Sequence, residues 1–325
     1  MASVLVSIIN YRTAELTLAA VQSVLADFDA SRTADQSFEG QVVIVDNASG
    51  DGSAEVLADW IADQKVVPVR LVCSEVNGGF SAGHNLGFAS GRSEYVLVLN
   101  SDAELRPGCL AALLRAAEAD PAAGLFAPRL EDADARVQTS TFRFPSAASE
   151  FIRGAQTGPV TAALRRWDVP LGPAPDAAQA GWASFACILL RRRMIEEIGP
   201  MDAGYFLYFE DVEFSLRARW AGWRLVLVPE ARAVHHRGGS GPVKALTAER
   251  ARLPRYYYAS RTRYFYQRGG RLGLLAANLG WAFGRGIAQL RRLVGKPVPK
   301  AVSREGRDLW INARDPLGAP VAPGE

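Results

Sequence analysis

The first 105 residues alternate short apolar runs with longer amphipathic stretches, and this alternation constrains the fold more than any other feature. It predicts right-handed β-α-β crossovers and a mostly parallel sheet flanked by helices. A further helix is predicted over 107–119, because Pro107 is favoured in a first helical turn. Strands are predicted over residues 4–9, 41–46, 67–73 and 95–99, and the helices between them over 13–27, 53–64 and 81–91.

The region after Pro128 has a less regular pattern. Residues 129–180 are rich in Pro, Gly, Ala and Arg, so irregular structure is predicted there, with short β pieces around 137–144. Within it, residues 158–180 are predicted to form a mobile loop that orders over a bound ligand. Beyond it we predict strands over 182–190 and 224–228, the latter ending at Pro229, and helices over 192–198 and 213–221.

Polar side chains end two of the predicted strands, where open α/β sheets bind ligands. Residues 95–99 run into Asn100, Ser101 and Asp102, and residues 41–46 end at Asp46. A carboxylate at this edge can accept a hydrogen bond from a base or a ribose, or it can only cap a turn. The oxygens of residues 100–102 suit a hard divalent cation completed by phosphates and water, but they also suit a strand-end cap. These alternatives stay open from the residues alone.

Four glycines lie in residues 77–87, at and within the start of a predicted helix. Glycine permits close backbone approach, and the amino terminus of a helix favours phosphate. The dinucleotide fingerprint needs its glycines directly after the first strand. This chain has Asn10-Tyr11-Arg12-Thr13 at that place, so an NAD site is disfavoured.

An acidic pair, Glu210 and Asp211, lies among the aromatic residues of segment 205–214. Like charges repel and aromatic neighbours exclude water, so one carboxyl can titrate high enough to act as a general base. The alternative is a helix cap at Asp211 with Glu213 in the first turn. The aromatic setting also suits sugar rings. His235 and His236 follow the last predicted strand, and a histidine pair is either a metal ligand or an exposed pair without a role.

Taken in order, these segments resemble a family 2 glycosyltransferase of the GT-A fold, an inverting class that includes bacterial rhamnosyltransferases. The resemblance covers residues 4–240 and implies an α/β, Rossmann-like sheet with a helical, basic C-terminal extension. It divides the chain into a nucleotide-sugar-binding half (1–105) and an acceptor-binding, catalytic half (106–240) of one domain, followed by a helical extension (241–325). The segments that carry it are Ser7-Ile8-Ile9-Asn10-Tyr11, Val45-Asp46-Asn47-Ala48-Ser49, Asn77-Gly78-Gly79-Phe80, Leu99-Asn100-Ser101-Asp102, Phe209-Glu210-Asp211-Val212 and 235–240.

The resemblance also assigns roles to residues. It implies Asp211 as the catalytic base, and Asp102 with His235 as ligands of Mg²⁺ or Mn²⁺. Asn100 departs from the family pattern, which has an acidic residue at that position, so the site carries one fewer negative charge. Contacts to the acceptor or the transferred sugar are expected from Trp182, Tyr208 and Glu210. Contacts to the nucleotide sugar are expected from Asn10, Tyr11, Arg12, Asp46, Asn77, Gly79, Asn100, Ser101 and Arg237.

The function implied is inverting transfer of a sugar from a dTDP- or UDP-sugar to a glycan or lipid-linked acceptor in cell-surface polysaccharide synthesis. The leading donor is dTDP-rhamnose. One alternative is a sugar-phosphate nucleotidyltransferase, which would want a glycine-rich, basic loop after the first strand. Another is a non-catalytic carbohydrate-binding protein, in which Asp211 would be dispensable.

Charge is unevenly distributed, since the net charge is only +3 but residues 217–307 are crowded with arginine. With their interleaved aromatics, residues 250–295 predict either peripheral contact with an anionic membrane or a helical pair packed on the catalytic domain. The overall charge is too near balance to favour nucleic acid. The longest apolar stretch, 272–284, is too short to cross a bilayer. The last fifteen residues, with three prolines, are expected to be disordered.

Three cysteines, Cys73, Cys109 and Cys187, are odd in number and far apart, which fits neither a disulfide framework nor a paired-cysteine zinc site. Cys73 and Cys187 lie in apolar runs and are expected to be buried. The amino terminus lacks the pattern of a signal peptide. The predicted location is therefore the cytoplasm, with peripheral attachment to the inner face of the plasma membrane.

Overall fold

The computed structural model describes residues 3–34, 36–64, 68–236 and 243–323. The strands in these ranges are β1 Ser3–Asn10, β2 Glu39–Asp46, β3 Val69–Cys73, β4 Tyr95–Asn100, β5 Ala103–Leu105, β6 Ala123–Glu131, β7 Thr141–Phe142, β8 Trp182–Ala183, β9 Cys187–Arg191 and β10 Arg224–His235. Eight of them form one sheet in the order β3-β2-β1-β4-β9-β6-β10-β5, and β7 and β8 form a separate two-stranded sheet.

Helices cover both faces of the large sheet, because alternate residues of its strands are buried on opposite sides. In β4, Leu97 and Leu99 belong to one apolar cluster, and Val96 and Val98 belong to the other. Burying each such side chain contributes about 1.5–3 kcal/mol. The helices are α1 Ala14–Ala34, α2 Ser53–Asp63, α3 Gly79–Ala89, α4 Cys109–Ala119, α5 Ala147–Ala155, α6 Gly158–Ala163, α7 Arg192–Ile198, α8 Glu210–Trp220, α9 Val243–Glu249, α10 Arg255–Leu290 and α11 Glu305–Asp308.

The parallel part of the sheet, β3-β2-β1-β4, brings the strand ends of interest to one edge. The register sets Asn10 opposite Asp46 and Ile9 opposite Asn100. Strands β2 and β3 lie on one side of β1 and β4 lies on the other, which is the kind of switch point where α/β sheets bind ligands. The predicted α/β class is confirmed, and the sheet becomes mixed beyond β4, where β9 runs antiparallel.

The prediction of irregular structure over 129–180 is wrong for two segments. Residues 147–155 form α5, whose first turn is closed by reciprocal hydrogen bonds between Ser146 and Ser149. The usual sequence signature of this cap has Ser or Thr at the cap position and Glu or Gln three residues later. Ser149 stands at that later position, so the sequence gave no signal for the cap. Residues 158–163 form α6, capped by Thr157. Strand β6, which enters the large sheet, was also missed.

Two predicted strands have different limits in the structure. The run 182–190 is not one strand, because Ser184 Oγ accepts a hydrogen bond from the Ala186 backbone and the chain turns between β8 and β9. Strand β10 does not end at Pro229 but continues to His235. A register shift between Val228 and Arg232 accommodates the proline, as bulges commonly do.

The C-terminal extension packs on the rest of the chain. Helix α10 changes direction at Gly269 and Gly270, whose backbone angles are not helical. Arg261, 1% exposed, pairs with buried Glu150 of α5, with 2.8 Å between Nη2 and Oε2. These contacts match the packed-helix alternative for this part of the tail. None of the helices in the described ranges has the length and hydropathy needed to span a bilayer.

Two further expectations are wrong. Residues 311–323 are not disordered, since Val321 is buried in a cluster with Tyr256 and Leu309, and the Gly318 carbonyl accepts a hydrogen bond from Arg263. Residues 324 and 325 lie outside the described part. Cys73 is exposed, because it ends the edge strand β3, whereas Cys187 is buried as expected.

Candidate active site

A buried polar hub joins the ends of β1 and β2. Asn10 Nδ2 donates to Asp46 Oδ1 at 2.7 Å and to Ser49 Oγ at 3.1 Å. Ser49 donates from its backbone and its hydroxyl to the Asp46 carboxylate, at 3.1 and 2.6 Å. Asn10 is fully buried and Asp46 is 4% exposed, so both side chains fix the shape of the loop. Their predicted contacts to a nucleotide stay a prediction. Ser49 was not singled out, although it lies in the motif that begins at Asp46.

Tyr11 and Arg12 form the solvent-facing side of this hub. The guanidinium carbon of Arg12 lies 5.1 Å from the centre of the Tyr11 ring. The backbone N–H of Arg12 donates to Ser49 Oγ at 3.0 Å, and its Nε donates to the Ser49 carbonyl, also at 3.0 Å. Thr13 Oγ1 donates to Ser101 Oγ at 3.1 Å and so joins the ends of β1 and β4. An exposed aromatic ring beside a cation suits both a nucleobase and a phosphate.

The glycine turn at residues 77–79 is fastened to the same edge. Asn47 Nδ2 donates to Asn77 Oδ1 at 2.9 Å, and the Gly79 N–H donates to the same oxygen at 3.0 Å. Gly79 has φ +80°, and a Cβ there would lie 2.1 Å from the Phe206 carbonyl oxygen. The Phe80 N–H donates to that oxygen at 2.7 Å. Only glycine fits this contact, which joins the turn to the aromatic segment before Glu210.

Asp102 and His235 meet where β5 pairs with β10. The register puts His235 opposite Ala103, and His235 Nε2 lies 3.4 Å from Asp102 Oδ1. The His236 N–H donates to the Asp102 carbonyl at 2.9 Å, and a cavity of about 350 Å³ is lined by His235. Within the described ranges no group of three or more His, Cys, Asp or Glu side chains is placed to hold a metal. This donor set fits a cation that takes its other ligands from phosphates and water. Arg237 lies outside the described residues.

Glu210 and Asp211 occupy the first turn of α8, and the two residues before them have a strained backbone conformation. Tyr208 and Phe209 have φ of 70° and 67°, each costing about 1–2 kcal/mol for a residue with a Cβ. Such strain collects at functional sites. The alternative of a helix cap at Asp211 does not hold, since α8 starts earlier than expected, with Phe209 at the cap position and no side-chain cap.

Burial controls the titration of both carboxyl groups. It raises the pKa of Asp211 to about 7, against the lowering effect of the Val212 and Phe185 backbone N–H groups. Burial also raises the pKa of Glu210 well above its usual range, and the neighbouring charge of Asp211 adds to this. Glu210 Oε2 has no hydrogen-bond partner among the described residues. Asp211 can therefore take up a proton near neutral pH.

Residues 185 and 186 join this acidic pair to the strand edge. The Phe185 N–H stabilises the Asp211 carboxylate, and the Ala186 carbonyl accepts from the Asn100 N–H at 2.9 Å. The strand-end hub, the glycine turn and the acidic pair are thus linked by hydrogen bonds. Phe185 carried no sequence signal, because its role depends on the turn between β8 and β9.

The aromatic surroundings of the pair come from two distant segments. Tyr208 stacks on Tyr256 of α10, with 6.4 Å between ring centres, and meets Tyr257 edge-on at 5.7 Å. Trp182 stacks on Phe142 at 4.3 Å. The contribution of α10 to this wall was not foreseen, because the tyrosines of the tail were assigned to a separate extension.

A cavity of about 620 Å³ includes none of the predicted site residues. It is lined by Arg143 and by residues between 165 and 179, and its charged side chains are three arginines and two aspartates. Cavity size alone does not identify reacting groups, so the acidic pair and the strand edge stay the candidate site on the chemistry of their side chains.

The unusual titration of Glu210 leads to a stability prediction. Between about pH 5 and about pH 8, the wild-type protein should lose at least ~1 kcal/mol more unfolding free energy than Glu210→Gln. Folding raises the pKa of this carboxyl from 4.5, so its stabilising contribution is complete below that value and is lost as pH rises towards the folded pKa. Urea unfolding at both pH values measures the difference. Parallel losses in the two proteins would contradict the assignment.

Comparison with protein families gives a match to the model described as "Glycosyl transferase family 2", over residues 3–199. The N-acetylglucosaminyl-diphospho-decaprenol L-rhamnosyltransferase of Mycobacterium tuberculosis is 33% identical over 230 residues, 64% of this chain and 71% of that protein. Rhamnosyltransferase WbbL of Escherichia coli is 25% identical over 172 residues, 50% of this chain and 63% of that protein.

Two solved structures resemble the fold. A mannosyltransferase of Pyrobaculum calidifontis, in complex with GDP-Man and Mn²⁺, has a TM-score of 0.57 and 16% identity, over 90% of this chain and 76% of that one. GalNAc-T7 with UDP, GalNAc and Mn²⁺ has a TM-score of 0.59 and 13% identity, over 97% of this chain and 55% of that one. At these identities the likeness concerns the fold.

Proposed function

The chain belongs to glycosyl transferase family 2, and from this premise we propose that it transfers rhamnose from dTDP-rhamnose, with inversion, to a lipid-linked glycan. A UDP-sugar is the second choice of donor. Two relatives named as rhamnosyltransferases support the choice of sugar, and the name of the one from M. tuberculosis, with its diphospho-decaprenol acceptor, supports a lipid-diphosphate acceptor. The observation that carries the proposal is the half-buried Asp211 carboxyl in the first turn of α8, whose pKa of about 7 suits a general base.

Asp211 takes the proton of the acceptor hydroxyl in this proposal. The hydroxyl oxygen then forms a bond to the anomeric carbon while the bond from that carbon to the diphosphate oxygen breaks. A single displacement of this kind inverts the configuration and needs no protein nucleophile. Tyr208 and Trp182 offer aromatic faces for the sugar rings. Burial raises the pKa of Glu210 well above its usual range, which favours the protonated form that can donate a hydrogen bond beside the base.

The strand edge holds the nucleotide in this proposal. Tyr11 and Arg12 contact the base and the phosphates from their exposed positions, and Asn10 and Asp46, which also keep the loop in shape, line the same nucleotide pocket. The remaining assigned contacts are those of Asn77, Gly79, Asn100, Ser101 and Arg237. Residues 1–105 thus serve mainly the donor, and residues 106–240 mainly the acceptor.

Asp102 and His235 would hold a divalent cation, Mg²⁺ or Mn²⁺, and their separation of 3.4 Å fits two ligands of one ion. The Mn²⁺ in both solved neighbours supports this assignment. When bound, such a cation offsets negative charge on a diphosphate. Because Asn100 supplies no charge, Asp102 is the main anionic protein ligand in the proposed set. We also propose a cytoplasmic location with peripheral contact to the plasma membrane.

A donor panel tests the proposal directly. Transfer or donor hydrolysis is measured with dTDP-rhamnose and several UDP- and GDP-sugars, with Mg²⁺ or Mn²⁺ and with a chelator. We expect turnover of dTDP-rhamnose above all others, and its loss on chelation. The donor assignment would be wrong if a GDP-sugar were preferred. If no nucleotide bound and no donor were consumed, the catalytic proposal would be withdrawn in favour of carbohydrate binding alone.

A further inference from the structure

Helix α10 carries an exposed apolar stripe beyond its bend at Gly269 and Gly270. Its members follow one another at intervals of three or four residues, which places them on one face of a helix. Exposure reaches 79% at Leu272 and 66% at Phe283. The outer face, as we name it, consists of Leu272, Leu275, Leu279, Phe283, Ile287 and Leu290.

The opposite side of the same helical segment faces the protein and packs against other parts of the chain. A Cβ on Gly284 would lie 2.2 Å from the Phe151 carbonyl oxygen, and one on Gly280 would lie 2.5 Å from that of Ala147. Helix α5 therefore fits tightly against these two glycines. Trp281 is buried in a cluster that includes Leu309, next to α11. The outer face is thus a second apolar surface that the fold itself does not need for packing.

Positive charge lies at both ends of the outer face. No Asp or Glu occurs between Arg250 and Arg304. Arg271 begins the segment, and Arg292, Lys296 and Lys300 follow it. None of these four forms an ion pair with another residue that the structure describes. A long apolar stripe flanked by cations is typical of helices that lie in the headgroup region of anionic bilayers.

We propose that the outer face lies in the surface of an anionic lipid bilayer, with α10 parallel to the membrane plane over about 30 Å. A second copy of this chain is the less suitable occupant, because two such surfaces would bring like charges together. We thereby limit the membrane contact predicted for residues 250–295 to the part of α10 after its bend. Before it, Tyr256, Tyr258 and Tyr264 are buried in the protein.

The position of α10 also indicates what docking of the outer face on a membrane would do. Before its bend, α10 contacts Tyr208 and Phe209 through Tyr256, Tyr257 and Tyr264, directly ahead of the acidic pair. Docking of the outer face would therefore orient the catalytic segment relative to the bilayer that carries a lipid-linked acceptor. That use rests on the proposed function, whereas binding to lipid does not.

Vesicle sedimentation tests the proposal with the full chain and without donor. We expect binding to vesicles of phosphatidylcholine with phosphatidylglycerol, and weaker binding to phosphatidylcholine alone. Phe283→Glu should lower the partition coefficient about tenfold or more, since it replaces an inserted ring by an anion. Arg271→Glu with Arg292→Glu should remove the preference for the anionic lipid. The matched control is Trp220→Glu, which changes an aromatic residue that is 62% exposed at the end of α8 and should bind as the wild type does.

The outcomes separate this proposal from the transfer reaction. Absence of vesicle binding by the wild type, or equal losses in the Phe283 and Trp220 variants, would overturn it. So would a wild-type dimer that Phe283→Glu dissociates, if no vesicle binding is seen. Phe283→Glu should leave transfer to a water-soluble acceptor unchanged. Vesicle binding without any transfer activity would contradict the proposed function and leave the membrane surface standing.

Discussion

Asp211→Asn should lower the transfer rate by a factor of about 10²–10⁴ or more, with the affinity for the donor changed by no more than about twofold. The substitution keeps the size of the side chain but removes the group that accepts the proton. Burial raises the pKa of Asp211 to about 7, so the wild-type carboxylate is both available and basic near neutral pH. Steady-state transfer measures the rate, and calorimetric titration with the nucleoside diphosphate measures the affinity.

The same assignment gives a pH profile. Because the base must be ionised, kcat/KM of the wild type should fall about tenfold for each pH unit below about 7. Asp27→Asn is a matched control, since burial also raises the pKa of that carboxyl, but its oxygens accept from the Gly108 and Leu110 N–H groups at the start of α4. It should affect stability and leave the pH profile in place. Wild-type turnover by Asp211→Asn would remove Asp211 as the base.

Gly79→Ala should lower the free energy of unfolding by at least ~3 kcal/mol and abolish donor binding. Two costs combine at this position. A Cβ is strained at φ +80°, and it would lie 2.1 Å from the Phe206 carbonyl oxygen, which is backbone and cannot swing away. To relieve this clash, the glycine turn must move away from Phe206. That movement breaks the contact that joins the strand edge to the acidic pair. Urea unfolding and nucleotide titration measure the two effects.

Gly108→Ala separates these two costs. Gly108 has the same φ of +80°, but a Cβ there meets nothing within 4 Å. This control should therefore lose only about 1 kcal/mol, the cost of a left-handed residue with a side chain, and bind the donor normally. Equal losses in the two variants would show that backbone strain alone acts at Gly79, and the proposed coupling through Phe206 would be wrong.

Local patterns were sufficient for the parallel half of the sheet and for the edge where its strands end. Each element there has its own periodicity, and the polar residues Asp46 and Asn100 follow apolar strands directly. The later half was harder to predict, because its limits depend on tertiary contacts. Pro229 is typical of a strand end, and only the bulged pairing with β6 shows that β10 continues past it. The cap of α5 has a serine at the position where Glu or Gln is usual.

The site shows the same division between local and distant determinants. The acidic pair was predicted from its aromatic neighbours in sequence, and the family resemblance implied that Asp211 is the base; in the structure desolvation raises the pKa of Asp211 as that environment predicts. Phe185, Tyr256 and Tyr257 were missed, since they reach the acidic pair through a turn and a distant helix. The sequence predicts that the Asp46 carboxylate binds the ligand. In the structure this carboxylate also accepts hydrogen bonds from Asn10 and Ser49, so it holds the loop as well.

The central claim is that the strand edge, Asp102 with His235, and Asp211 form one sugar-nucleotide site. A crystal structure of the protein with dTDP-rhamnose and Mn²⁺ tests it most directly, with the anomalous signal of Mn²⁺ marking the cation. We predict Mn²⁺ beside Asp102 and His235, the nucleotide at Tyr11 and Arg12, and the anomeric carbon facing Asp211. A nucleotide bound instead in the cavity lined by Arg143 and residues 165–179, with no Mn²⁺ at Asp102, would contradict it.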